Sequence, residues 1–324
     1  MAPGLTRIKA AVAAGFLSVV VALSLSAWYL MEREQRNYDA AGIEAVERRA
    51  RNATAALNRA LVQTDTLLIS MPGLVARTSL ADPEDAAAAR RMLRALADQN
   101  FLVRDAMLLA PDGTAIATAL AASARRPPVL APELARALAE APGAGMHVSS
   151  PFRSPYTGQW ALHMVRRAPA LGPGAVALVE VEAPVIADLL AGGAALGELR
   201  VALMRADGET LATAPHNEAA LARGGAPVPR EALEAGKPVP RDGKISFALP
   251  LLYPGLSVAV SLPVDAALEG YRDQRDRIVI AAVGIAALVA ICLGLVTVFL
   301  LARFRAEAQA PTWRDTLQRA LDSM

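Results

Sequence analysis

Three histidines and one cysteine are the side chains of this sequence best suited to metal binding or nucleophilic chemistry, and their spacing supports neither. His147, His163 and His216 lie far apart, with no HExxH pair to seat a zinc ion on one helical face and no finger spacing. There is no glycine-rich phosphate loop and no GxSxG elbow to present a serine. Cys292 stands alone inside an apolar run, which excludes an intrachain disulfide, a cysteine zinc cluster and a CxxC redox pair. The two Asp-Gly pairs, 112–113 and 207–208, read as turns, because glycine accepts positive φ. No catalytic residue, cofactor or metal is therefore expected. What remains is chemistry for holding a ligand: arginine offers a planar fork for carboxylate or phosphate, and tyrosine and tryptophan offer apolar walls with a hydrogen-bonding edge.

The elements that must position such residues start from two apolar runs. Residues 10–31 carry no charge and as a helix would cover about 33 Å, enough for a bilayer core of about 30 Å. A cleaved signal peptide would have a shorter apolar stretch, so an anchor is expected. Residues 278–302 form a second uncharged run, followed at once by Arg303 and Arg305. Residues 1–9 hold two cations, Arg7 and Lys9, and no acid, so the positive-inside rule puts both termini in the cytoplasm and the bulk outside. The hydrophobic fraction is 54%, above the globular norm of about 45 to 50%. A net charge of +2 gives no support for nucleic-acid binding, which needs a clustered basic face. Arginine outnumbers lysine heavily, only Lys9, Lys237 and Lys244 being present, and this bias points to a GC-rich bacterial genome.

Between the spans, Ile43, Val46, Ala50, Ala53, Leu57, Leu61, Thr64, Leu68 and Met71 recur three and four apart. That spacing predicts one long amphipathic helix within residues 32–80, ending near Pro72 and Gly73, with a second helix over 83–99. An internal repeat follows. Residues 105–119 read DAMLLAPDGTAIATA and residues 200–214 read RVALMRADGETLATA, matching at six of 15 positions without a gap. Each copy predicts a hairpin on its Asp-Gly turn. After the first come a helix over 131–140, strands over 146–152, 159–167 and 175–181, and a helix entered at Pro184. After the second come a helix over 230–235, strands over 244–252 and 256–262, and a helix entered at Pro263 that carries Leu268 and Tyr271 into the second span. Helices against one antiparallel sheet, used twice, make an α+β protein.

Residues 149–167, SSPFRSPYTGQWALHMVRR, and residues 199–215, LRVALMRADGETLATAP, resemble segments of double Cache domains. These are PAS-like extracytoplasmic sensor regions of bacterial chemoreceptors, histidine kinases and cyclic-di-GMP enzymes. The resemblance covers residues 32–277. It implies two PAS-like modules with antiparallel sheets on a long N-terminal helix, flanked by two transmembrane helices. The membrane-distal module would span 81–192 and the membrane-proximal one 193–277. The tail, 303–324, places Trp313, Leu317, Leu321 and Met324 on one helical face and resembles the opening helix of a cytoplasmic PAS domain; a plain amphipathic helix on the membrane or a partner fits it as well.

The resemblance implies a pocket between the distal sheet and the segments covering it, with Arg153, Tyr156, Trp160, His163 and Arg166 as candidate ligand-binding residues. Alternation along the strand sets Trp160, Leu162, Met164 and Arg166 on one side and Ala161, His163, Val165 and Arg167 on the other, so the five cannot share one cavity without a bulge. Amino-acid-sensing members carry an Arg-x-Trp-Tyr element before this hairpin and an aspartate after it. The first is absent from residues 142–152, and only Glu180 or Glu182 could stand for the second.

The expectation is thus a homodimeric inner-membrane receptor, its bulk in the periplasm. A small molecule or ion would bind the distal module, and the signal would reach a cytoplasmic output domain or partner protein. No kinase, cyclase or chemotaxis output is encoded here. The alternative is a ligand-free structural or adaptor protein whose outer domain docks an envelope partner.

Overall fold

The computed structural model of the chain describes residues 3–76, 83–120, 132–140, 145–193, 195–224 and 236–321. They form two units, one of Met1–Ala40 with Ala267–Met324 and one of Ala41–Ala266.

Helix α1, Pro3–Val75, runs from one unit into the other. Its inward stripe is the one the periodicity requires: Val46, Ala50, Ala53, Leu57, Leu61, Thr64, Leu68 and Met71 are all buried. Ile43, at the margin of the larger unit, is instead 37% exposed. The helix also runs through Pro72 rather than stopping there. A proline forfeits one backbone donor, but Met71 and Val75 on either side are fully buried, and Ala76 N donates to Pro72 O at 2.9 Å to close the last turn.

In the larger unit, α2 (Pro83–Asp98) precedes a first sheet. Its strands are β1 (Val103–Leu109), β2 (Ala115–Thr118), β3 (His147–Val148), β4 (Phe152–Arg153), β5 (Trp160–Arg167) and β6 (Val176–Glu182), ordered β2-β1-β6-β5-β3 with β4 also on β5. Helix α3 (Pro132–Glu140) lies between β2 and β3, and α4 (Ala183–Ala191) follows β6 to pack on the second sheet. That sheet has the order β8-β7-β11-β10-β9, from β7 (Arg200–Arg205), β8 (Thr210–Ala214), β9 (Val239–Arg241), β10 (Lys244–Pro250) and β11 (Leu256–Pro263). Helix α5 (Glu218–Arg223) packs on β8.

The sequence repeat is a structural repeat down to its register. Met107, Leu108 and Leu109 pair with Thr118, Ala117 and Ala115, and their counterparts Ala202, Leu203 and Met204 pair with Thr213, Ala212 and Thr210. Both hairpins carry a bulge at the same place, between Leu108 and Leu109 and between Leu203 and Met204. Two antiparallel sheets on one long helix confirm the predicted α+β class.

Four elements differ from expectation. The strand read over 146–152 is two short pieces, β3 and β4, because Pro151 between them has no N–H for the ladder. Strand β9 and helix α5 were not predicted. The exit helix is interrupted: a turn at Leu268 separates α6 (Val264–Ala267) from α7 (Glu269–Leu321), and Arg272 N donates to Leu268 O at 3.0 Å. The helix read over 230–235 lies outside the described residues, as does Met324.

In the smaller unit, α1 and α7 each contain a segment long and apolar enough to cross a membrane, with mean hydropathies of 1.8 and 2.9 over the best windows and none of either window buried. Tyr38 and Tyr271 meet edge to face at 6.1 Å. Gly270 lies so close to the Tyr38 ring that a Cβ there would stand 2.8 Å from Cε1.

In the larger unit both sheets are fastened to α1. Arg166 on β5 forms a mostly buried ion pair with Asp65 of α1. From the second sheet's β10–β11 turn, Leu252 N donates to Asn58 Oδ1 at 2.9 Å and Tyr253 Oη donates to Leu61 O at 3.3 Å. Burial, followed by the charge of Asp65 and a hydrogen bond to it, pushes the Tyr253 phenol up to about 12, against a smaller opposing pull from Arg166. The folded chain therefore holds this proton more tightly than the unfolded one. The stabilisation is complete below the ordinary tyrosine pKa of about 10 and is lost as pH rises from there to about 12. Chemical denaturation at pH 9 and pH 11.5 should show a loss specific to this group of about 1 kcal/mol after solvent screening, absent in Tyr253→Phe.

Candidate functional site

One face of the first sheet combines an apolar cluster with a buried polar row. Met107, Leu109, Val165, Val176 and Leu178 cluster with Leu134 and Leu138 of α3. One step along, Asp105 on β1 pairs with Glu180 on β6, and Glu180 pairs with His163 on β5. Directly paired residues point to the same side, so the three stand abreast across the sheet's central strands. All are buried, Asp105 at 0%, Glu180 at 1% and His163 at 6% exposure.

Two ionisable carboxyls side by side in an apolar sheet are costly without hydrogen bonds or a nearby cation. The surroundings supply hydrogen bonds and a neighbouring imidazole. Ser154 Oγ donates to Glu180 Oε1 at 2.9 Å, and Ala106 N donates to Asp105 Oδ1 at 2.9 Å. His163 Nε2 lies 3.8 Å from Glu180 Oε2, and its ring leans on Phe152 with centroids 4.3 Å apart. His163 is fixed in turn by Ser149, whose N donates to His163 O and whose Oγ accepts from His163 N, each at 2.9 Å. The result is a buried acidic row beside an aromatic ring. Nearby on the same face, His147 pairs with Val165; burial and then the charge of Arg167 hold its pKa below the ordinary value. Among the described residues no three His, Cys, Asp or Glu side chains converge closely enough to hold a metal ion.

The five residues chosen from the hairpin are distributed around this row. His163 is in it. Arg166 points to the opposite side, where it meets Asp65. Trp160 pairs with Arg153, whose guanidinium carbon lies 5.9 Å from the indole centre. Arg153 also forms an exposed ion pair with Glu218 of α5 at 2.6 Å, and Tyr156, 38% exposed, lies in the turn between β4 and β5. The structure thus brings Arg153 and Trp160 together beside the second sheet, and does not bring all five together. Ser150 Oγ donates to Glu209 Oε2 at 2.9 Å and Arg205 Nη2 donates to Val148 O at 3.0 Å, so the β3–β4 segment is joined to the second sheet's first hairpin. Sequence reasoning missed Asp105, although a carboxylate at an inward position between Val103 and Met107 was a signal that could have found it.

No protein-family model and no curated protein matches the sequence. Solved structures do match. Methyl-accepting Chemotaxis protein X superposes with a TM-score of 0.53 at 17% identity, covering 69% of this chain and 98% of that one. The ligand-binding domain of the Pseudomonas aeruginosa PAO1 amino acid chemoreceptor PctB in complex with L-Gln reaches 0.49 at 16% identity, covering 69% and 92%. That of the Pseudomonas fluorescens chemoreceptor CtaA in complex with L-alanine reaches 0.48 at 18%, covering 69% and 98%. The first of these establishes a shared fold, the one expected of a double Cache region.

Proposed function

We propose that this chain is a membrane-anchored sensor that binds a small cationic ligand on the Asp105–Glu180–His163 face and passes the binding event through α1. The observation that carries this reading is the buried polar row itself. An acidic pair with an aromatic wall is complementary to an ammonium group, and the chain's shared fold with a chemotaxis receptor supports a ligand there. The two apolar helices anchor it in a bacterial inner membrane with the sheets outside and both termini in the cytoplasm. The chain has no catalytic activity of its own. Its output lies with a cytoplasmic domain or partner reached through α7.

Transmission follows from the strand that links the two sides of the first sheet. His163 faces the ligand, and Arg166, three residues on, grips Asp65 of α1 from the other side. A ligand that draws on His163 and Glu180 changes the tilt of β5, and with it the Arg166–Asp65 contact. Such coupling requires that the ligand bind one arrangement of α1 more tightly than the other. A second copy of the chain completes the device. Val62 and Ile69 of α1, seven residues apart, are 44% and 56% exposed and form an apolar stripe fitted to a partner helix.

The test is a thermal-shift screen of the full chain in lipid nanodiscs against small amines, amino acids and neutral analogues. A ligand at 100 times its Kd stabilises the native state by about 2.7 kcal/mol. The expected result is a shift by an amine-bearing compound that neutral analogues do not give and that Glu180→Gln and Asp105→Asn each remove. Silence across the panel, with an envelope protein recovered by crosslinking, would establish the adaptor reading instead.

A further inference from the structure

The two sheets are superimposable in register, so each residue of the row in the first module has a counterpart in the second. Asp105, Glu180 and His163 correspond to Arg200, Ser261 and Ser246, which pair across β7, β11 and β10 in the same way. The next row is more telling. Met107, Leu178 and Val165 of the first module fill their face together with Leu134 and Leu138. Their counterparts are three alanines, Ala202, Ala259 and Ala248. Against this shallow floor the second module holds a cavity of about 310 Å³, bounded by Arg200, Ser261, Thr213 and His216.

Both ring nitrogens of His216 are shielded from solvent and have no hydrogen-bond partner among the described residues. Buried polar atoms are otherwise satisfied in native proteins, so a histidine left in this state beside a cavity needs an explanation. Among the described lining residues Arg200 supplies the only formal charge. Its Nη1 is held by Gly197 O at 3.1 Å and Leu199 O at 3.2 Å, and its Nη2 has only a loose exposed pairing with Glu198 at 3.7 Å. Surface pairs of that kind contribute little, so the guanidinium is available to a ligand.

We infer that the second module carries its own ligand site, a pocket for a small aliphatic carboxylate. The carboxylate lies on Arg200 with His216 and Ser261 as hydrogen-bonding partners, and the short chain lies over Ala202 and Ala259. A cation held only loosely by an exposed acid, Glu198, selects an anion, the fork geometry of arginine suits a carboxylate, and the alanine floor rewards methylene groups. This site is opposite in charge preference to the acidic row of the first module and does not depend on that row binding anything.

The test is calorimetric titration of the full chain in nanodiscs with acetate, propionate, butyrate, inorganic phosphate and propionamide. Affinity should rise about fourfold per added methylene from acetate to butyrate, and phosphate and propionamide should bind at least tenfold more weakly than propionate. Arg200→Gln, at a half-exposed position that the fold does not depend on, should weaken propionate at least tenfold. Ala220→Leu, which narrows the cavity, should do the same without removing a charge. The assignment is overturned if propionate does not bind, if Arg200→Gln binds as the parent does, or if propionamide competes equally.

Discussion

Asp65→Ala lowers the melting temperature of the full chain by about 10 °C. Asp65 and Arg166 are 18% and 15% exposed at their side chains, so their contact is largely withdrawn from water. Removing one partner of such a pair leaves the other charge buried and uncompensated, at a cost of roughly 3 kcal/mol. In a unit of this size that corresponds to roughly 2 to 4 °C for each kcal/mol. The double variant Asp65→Leu with Arg166→Leu should recover most of the loss, because apolar residues of similar volume replace a buried pair at little net cost. Differential scanning calorimetry of the parent, Asp65→Leu, Arg166→Leu and the double variant closes the cycle. A double variant as unstable as the worse single one would mean that the pair is not what fastens β5 to α1.

Leu68→Ala has the second large effect, a destabilisation of about 2 to 5 kcal/mol in urea unfolding. Leu68 is 0% exposed, one turn from Asp65 on the inward stripe of α1, between Thr64 and Met71, which are equally buried. Removing three carbons there leaves a cavity that a helix fixed at Asn58, Asp65 and Thr64 cannot close by shifting. Val62→Ala, on the exposed side of the same helix, should change monomer stability by less than about 0.5 kcal/mol. It should instead weaken association of two copies, which analytical ultracentrifugation reads separately.

The fold was legible wherever local rules and tertiary packing agree. Three-and-four spacing of apolar residues located the buried side of α1, and the Asp-Gly turns located both hairpins, because each signal is contained within a few residues. Strand β9 was illegible for a physical reason: Pro240 sits in it, and proline is tolerated only at a sheet edge where its missing donor faces outward, a position that sequence cannot reveal. Pro72 misled in the opposite direction, since packing of Met71 and Val75 carries α1 past it. The site was less legible than the fold. His163 was visible in its hairpin, and Glu180 stood out as an acid after it. Asp105 comes from a strand far earlier in the chain, and its position opposite Glu180 depends on the register of β1 against β6. A slip of one residue would have sent it to the other side of the sheet. The charge inversion between the modules, Asp105 in one and Arg200 in the other, was present in the aligned repeat but acquires meaning only when both are placed in equivalent rows.

Under the proposed function, occupancy of the first module moves the helices that leave the sheets. Cys292, the chain's single cysteine, is exposed on α7 within the apolar segment and takes one spin label per copy. Pulsed dipolar spectroscopy of the labelled full chain in nanodiscs measures the separation of the two labels in a dimer, with and without the amine that gives the largest thermal shift. The predicted result is a displaced distance distribution, by about 1 to 2 Å as for helix shifts in other receptors and oligomers, that disappears in Glu180→Gln. Superimposable distributions while calorimetry shows the ligand bound would mean that the first module is not coupled to α7.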